Sequence, residues 1–109
     1  MTKAMSKAVS SRTKATNTVA YDVSEQLRTP EEMAAYLDAW LEEAPEDATG
    51  IARALGDIAR AKGMTQVARD AGLSRESLYK ALGENGNPTF ATVLKVAKAS
   101  GVRFHAKVA

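Results

Sequence analysis

One group of side chains has the types and spacing suited to binding nucleic acid. Within MTQVARDAGLSRESLYKALG, residues 64–83, the side chains left outside the apolar pattern are Arg75, Glu76, Ser77, Tyr79 and Lys80. An arginine can make a bidentate hydrogen bond with guanine, so we predict that Arg75 reads a base with about 1–3 kcal/mol of discrimination. We expect most of the predicted DNA-binding residues to contact phosphates. The predicted residues are Thr65, Gln66, Ser74, Arg75, Glu76, Ser77, Tyr79, Lys80, Asn87 and Thr89.

Two short helices, Met64 to Ala71 and Arg75 to Leu82, are predicted to position these side chains. Gly72 supplies the left-handed conformation that ends a helix, and Ser74 is a preferred N-cap for the next one. The apolar residues at helical spacing and the brief break between them indicate a helix-turn-helix. A helical pair that binds no DNA is the alternative, and Glu76 favours it because a carboxylate at this helix start repels phosphate.

Capping signals predict three further helices. Thr29 as N-cap followed by Pro30 and Glu32 forms a capping box, and that helix ends at Pro45. A second helix spans about Ala48 to Lys62 and supports the motif. A last helix begins after Thr89, its N-cap, and ends at Gly101. We predict that the N-terminus of this helix and Asn87 contact a DNA phosphate. We predict a short strand over residues 102–109, because apolar and polar residues alternate there, and a two-stranded ribbon in a dimer is one hypothesis for it.

Charge is segregated along the chain although the net charge is only +2. Residues 1–20 hold four bases and no acid, residues 21–50 hold nine acids against Arg28 alone, and residues 51–109 hold ten bases against four acids. We predict that residues 1–20 are a disordered basic arm, either a solvated tail or a phosphate-contacting one. The acidic helix is either an ordinary solvated surface or a docking surface for a basic protein.

Other functional classes have little support in the sequence. The chain has no cysteine and a single histidine, His105, so we expect no disulfide, no metal site and no cofactor. It contains no apolar run long enough to span a membrane and no secretory signal, which predicts a cytoplasmic protein. No nucleophile lies beside a base at a recognisable spacing, so we expect no enzyme activity.

The segments GMTQVARDAGLSRESLYKALGENGNPTFATVLKVAKASG and YDVSEQLRTPEEMAAYLDAWLEEAPED resemble Xre/Cro-type regulators, and more narrowly the antidotes of HigA-type addiction modules. The resemblance implies an all-α, five-helix Xre/lambda-repressor-like helix-turn-helix domain with an extra N-terminal helix. The predicted organisation is an arm over residues 1–20, an acidic segment and helix over residues 21–47, the DNA-binding domain over residues 48–101, and a tail over residues 102–109.

The same resemblance implies a type II antitoxin that binds operator double-stranded DNA and represses its own operon. It would also neutralise a small basic toxin of the RelE/HigB type. We predict a homodimer, because one domain reads only a few base pairs, and a toxin surface that includes Glu31, Asp38, Glu42 and Glu43. The alternatives are a stand-alone Xre-family repressor without a toxin, and an interaction adaptor that binds no nucleic acid.

Overall fold

The computed structural model describes residues 23–109, which form an all-α fold. A 3-10 helix over Val23–Gln26 precedes five α-helices: α1 (Pro30–Glu43), α2 (Ala48–Lys62), α3 (Met64–Ala71), α4 (Arg75–Leu82) and α5 (Phe90–Ser100). The all-α prediction is confirmed for this part of the chain. The five α-helices include the N-terminal one, and residues 23–109 hold no helix beyond these five and the 3-10 turn. The predicted basic arm, residues 1–20, lies outside the described residues.

Local capping chemistry sets the helix ends at the predicted positions. Thr29 Oγ1 accepts a hydrogen bond from the Glu32 amide at 3.1 Å, and the Glu32 carboxylate accepts one from the Thr29 amide at 2.9 Å. These two bonds are the predicted capping box. α1 ends at Glu43, since the residue before Pro45 is disfavoured in a helical conformation. Thr89 caps α5, and Gly101 ends it with a left-handed φ of 84°.

The central element is α2, which contacts the 3-10 helix and all four other α-helices. Leu55 and Ile58 are fully buried there, and Ala54 and Ala59 allow close approach by the neighbouring helices. A Cβ added to Gly56 would lie 3.3 Å from the Leu82 carbonyl oxygen, so the missing side chain lets α4 approach α2. The core therefore fixes α3 and α4 against one supporting helix.

The predicted C-terminal strand is wrong for the conformation of this single chain. Residues 102–109 form no strand; Val102 is buried and Phe104 is half-buried against the core. Lys107 Nζ lies 3.3 Å from Glu42 Oε2, which ties the tail to α1. A lone strand leaves its backbone groups without a ladder partner, and Val102 and Phe104 pack against the helices instead. A ribbon between two subunits would require the tail to leave these contacts.

Residues 23–109 include no helix that is both long enough and apolar enough to cross a membrane.

Candidate nucleic-acid interface

The turn between α3 and α4 is built as the sequence predicted. Gly72 adopts a left-handed conformation (φ 73°, ψ 30°), and the Leu73 amide donates to the Ala68 carbonyl at 2.8 Å. Ser74 Oγ then accepts a hydrogen bond from the Ser77 amide at 2.9 Å and caps α4. Leu78 is completely buried. These contacts fix which face of α4 is presented to solvent.

The exposed face of α4 carries the residues that were predicted to face outward. Arg75, Glu76, Ser77, Tyr79 and Lys80 are all exposed, whereas Leu78 and Leu82 are buried. Arg75 Nη2 donates a hydrogen bond to the Tyr79 hydroxyl at 3.2 Å, and the Arg75 guanidinium carbon lies 5.4 Å from the centre of the Tyr79 ring. Arg75 is therefore held along α4 by a hydrogen bond and a cation–π contact.

A surface cleft, called the α3–α4 cleft below, collects side chains from α2, α3 and α4. The described residues that line it are Ser24, Arg60, Gly63, Met64, Thr65, Gln66, Arg75 and Tyr79. They include two arginines, of which Arg60 is paired with the Asp57 carboxylate. The structure thus brings together four of the predicted DNA-binding residues: Thr65, Gln66, Arg75 and Tyr79.

Several of the predicted DNA-binding residues form hydrogen bonds within the protein. Gln66 Nε2 donates to both carboxylate oxygens of Asp70, at 3.0 Å each, which places an acid beside this predicted phosphate contact. Ser74 Oγ also donates to Ser77 Oγ at 2.8 Å, so both hydroxyls belong to the cap of α4. Glu76 and Lys80 are exposed on the same helix and do not line the α3–α4 cleft.

Asn87 and Thr89 are not among the described residues that line the α3–α4 cleft. Asn87 lines a separate apolar groove with Leu41, Phe90 and Phe104. The Thr89 hydroxyl accepts a hydrogen bond from the Thr92 amide at 3.1 Å, which caps α5. These two residues therefore do not belong to the α3–α4 cleft.

The predicted acidic docking residues lie on α1. Glu31, Asp38 and Glu42 are exposed and follow each other at intervals of seven and four residues, which puts them on one side of the helix. Glu43 is half-buried beside them. These four residues are called the acidic face below. Glu42 is the member of this face that pairs with Lys107 of the tail.

Arg60, an arginine of α2 that lines the α3–α4 cleft, was not among the predicted residues. Its Nη2 donates to Oδ1 of Asp57, which is completely buried, and Oδ2 of the same carboxylate accepts a hydrogen bond from the Tyr36 hydroxyl at 2.7 Å. The signal that could have found Arg60 is an acid in the core-facing part of α2 with a base one turn later. Among residues 23–109, no group of three acidic or histidine side chains could hold a metal ion.

Comparison with known proteins gives one family and one close relative. The family model described as "Probable addiction module antidote protein" matches residues 17–108. An "Uncharacterized protein" of Haemophilus influenzae is 56% identical over 84 residues, which cover 77% of this chain and 84% of that protein. No solved structure matches the chain significantly.

Proposed function

The chain belongs to the family of probable addiction module antidote proteins, and on that premise we propose that it is the antitoxin of a type II toxin–antitoxin module. It binds a cognate toxin and, as a dimer, the operator of its own operon. It acts by binding, without catalysis, and it meets its operator in the cytoplasm. The family match is the observation that carries the antitoxin role; the geometry of α3 and α4 supports the DNA-binding role.

The α3–α4 cleft and the exposed face of α4 support operator binding by a helix-turn-helix of the Xre type. In such a motif the second helix enters the major groove and its first residues contact base edges. Here that helix is α4, and Arg75 stands in its first turn. The arginines that line the cleft beside it, Arg60 and Arg75, suit a DNA backbone, because each neutralised phosphate releases a counterion. Repression follows when the bound protein covers the promoter.

The acidic face supports docking of a basic toxin of the RelE/HigB type. Three of its four carboxylates are exposed on α1, and none of the four lines the α3–α4 cleft. Opposite charges on two partners steer their encounter and fix their orientation. Separate surfaces for toxin and operator would let one antitoxin hold both.

A homodimer completes the proposal. One helix-turn-helix reads only a few base pairs, whereas a symmetric pair reads a palindrome whose half-sites are about one helical turn apart. We therefore expect a palindromic operator upstream of the gene for this chain.

The test is to purify the protein from its native host at low salt, identify by mass what accompanies it, and measure binding to its upstream DNA. A stoichiometric small basic protein together with a salt-dependent DNA shift is the expected result. A clean homodimer that shifts the DNA would overturn the toxin part and leave a repressor. A complex that binds a partner but shifts no upstream DNA would overturn the operator part and leave an interaction protein.

A further inference from the structure

We propose that Arg60 is a phosphate-contacting residue that extends the DNA interface from the helix-turn-helix onto α2, and that Asp57 and Tyr36 hold it in place. The inference rests on the proposed operator binding and adds a residue that neither the motif nor the charge pattern indicates. Arg60 is the contact; Asp57 and Tyr36 are positioning residues.

The geometry is that of a surface cation attached to a buried anion. The Asp57 carboxylate is completely buried, whereas the Arg60 side chain is 39% exposed. Tyr36 of α1 donates to one carboxylate oxygen and Arg60 to the other. The exposed part of Arg60 faces the α3–α4 cleft, which Arg75 also lines.

The buried Asp57 carboxylate orients the Arg60 guanidinium. A buried carboxylate is stable only when it is paired and hydrogen-bonded, and Arg60 and Tyr36 provide those partners. The Arg60 Nη1 also lies 3.9 Å from the position of a Cβ at Gly56, one turn earlier on α2. An arginine that is ordered before binding loses less rotamer freedom when it meets a ligand.

The position of Arg60 indicates a phosphate and not a base. Arg60 lies in the last turn of α2, outside the helix that would enter the major groove. The guanidinium presents several donors in one plane, an arrangement that matches phosphate oxygens. A second arginine in the α3–α4 cleft adds a contact that is the same on every sequence, so Arg60 contributes affinity and no preference between operators.

The experiment measures binding of the full chain to an operator fragment and to a random duplex between about 50 and 200 mM salt. Arg60→Gln should weaken both complexes by about five- to tenfold near 0.1 M salt and reduce the slope of log K against log salt by about 0.9. The control is Arg103→Gln, which makes the same exchange at an exposed arginine of the tail that does not line the cleft. It should leave both affinities and both slopes nearly unchanged.

Two results overturn the inference without touching the proposed function. They are a slope for Arg60→Gln that equals the slope of the control, and a loss confined to the operator, which would make Arg60 a base reader. Wild-type protein that binds neither duplex overturns operator binding itself. Arg60→Lys keeps a cation beside Asp57 and should keep the wild-type slope, so the comparison of Lys with Gln remains informative if Arg60→Gln lowers the melting temperature.

A double-mutant cycle tests the positioning role. Tyr36→Phe removes the hydrogen bond to Asp57 without changing any charge, and should weaken binding to both duplexes by a few-fold with an unchanged slope. In an Arg60→Gln background the same exchange should have no further effect on DNA affinity, because the side chain it positions is gone. An equal loss in both backgrounds shows that Tyr36 does not act through Arg60, and overturns the positioning claim.

Discussion

Replacing Arg75 by alanine should remove operator preference more than it removes affinity for DNA in general. Arg75 is exposed in the first turn of α4, and under the proposed function this is the part of the helix that reaches base edges. A bidentate contact with guanine is worth about 1–3 kcal/mol of discrimination against the wrong base. On random duplex the same arginine makes no such contact.

The contact with Tyr79 lowers the expected magnitude. In the free protein Arg75 donates to the Tyr79 hydroxyl and stacks on its ring, and an exposed cation–π contact contributes about 0.5–1 kcal/mol. Arg75 gives up this contact to reach a base, whereas it keeps the contact on random DNA. The net discrimination is therefore about 0.5–2 kcal/mol, and Arg75→Ala should reduce the ratio of operator to random affinity about 2- to 30-fold.

The assay compares both duplexes at one salt concentration, with Lys80→Ala as the matched loss of a cation on the same helix. Lys80→Ala should weaken the operator and random complexes equally and lower the salt slope by about 0.9. Equal losses on the two duplexes from Arg75→Ala would refute the assignment of Arg75 as the reading residue.

Three further predictions concern the turn, the acidic face and the arm. Gly72→Ala should lower the free energy of unfolding by about 1–2 kcal/mol, because φ is 73° and a side chain strains this conformation. The loss should be no larger, since a Cβ at Gly72 would meet no atom within 4 Å. Gly50→Ala should lower the free energy of unfolding by more in the same urea titration, because its Cβ would overlap the side chains of Asp47 and Trp40. Reversing the charges of Glu42 and Glu43 to lysine should abolish co-purification of the toxin and leave the operator shift intact, and retention of the toxin would contradict docking there. Removal of residues 1–20, which hold four bases, should lower the salt slope by about 3–4 on operator and random DNA alike if the arm contacts phosphates; an unchanged slope would leave it a solvated tail.

Helix positions could be predicted because their signals are local. Thr29, Ser74 and Thr89 each cap a helix through an amide only three residues away. Gly72 and Gly101 end helices with the left-handed conformation that their neighbours could not adopt as easily. The bounds of α3 and α4 are confirmed residue by residue, because every signal that sets them lies within the motif.

The C-terminal tail could not be predicted from its own pattern. Alternation of apolar and polar residues describes a strand only if another strand supplies the hydrogen-bond ladder. Within the described chain no strand is available, and the helices offer apolar surface that Val102 and Phe104 cover. Of the alternating apolar residues, Val102 is buried and Phe104 is half-buried against helices, whereas Ala106 and Val108 are exposed. The alternation therefore predicted neither the backbone conformation nor which of these side chains are buried.

Asp57 has a hydrogen-bond partner on its own helix and another on a different helix. Only the partner on its own helix could be predicted from the sequence. An acid between the buried residues Leu55 and Ile58 needs a partner, and a base three residues later can supply it along one helix face. That reasoning nominates Arg60 from the sequence. The second partner, Tyr36, is 21 residues away on α1, and its hydroxyl reaches Asp57 only because of how α1 packs on α2. A buried carboxylate held from both sides can keep a cation at the surface, so the packing of α1 on α2 determines where Arg60 stands beside the α3–α4 cleft.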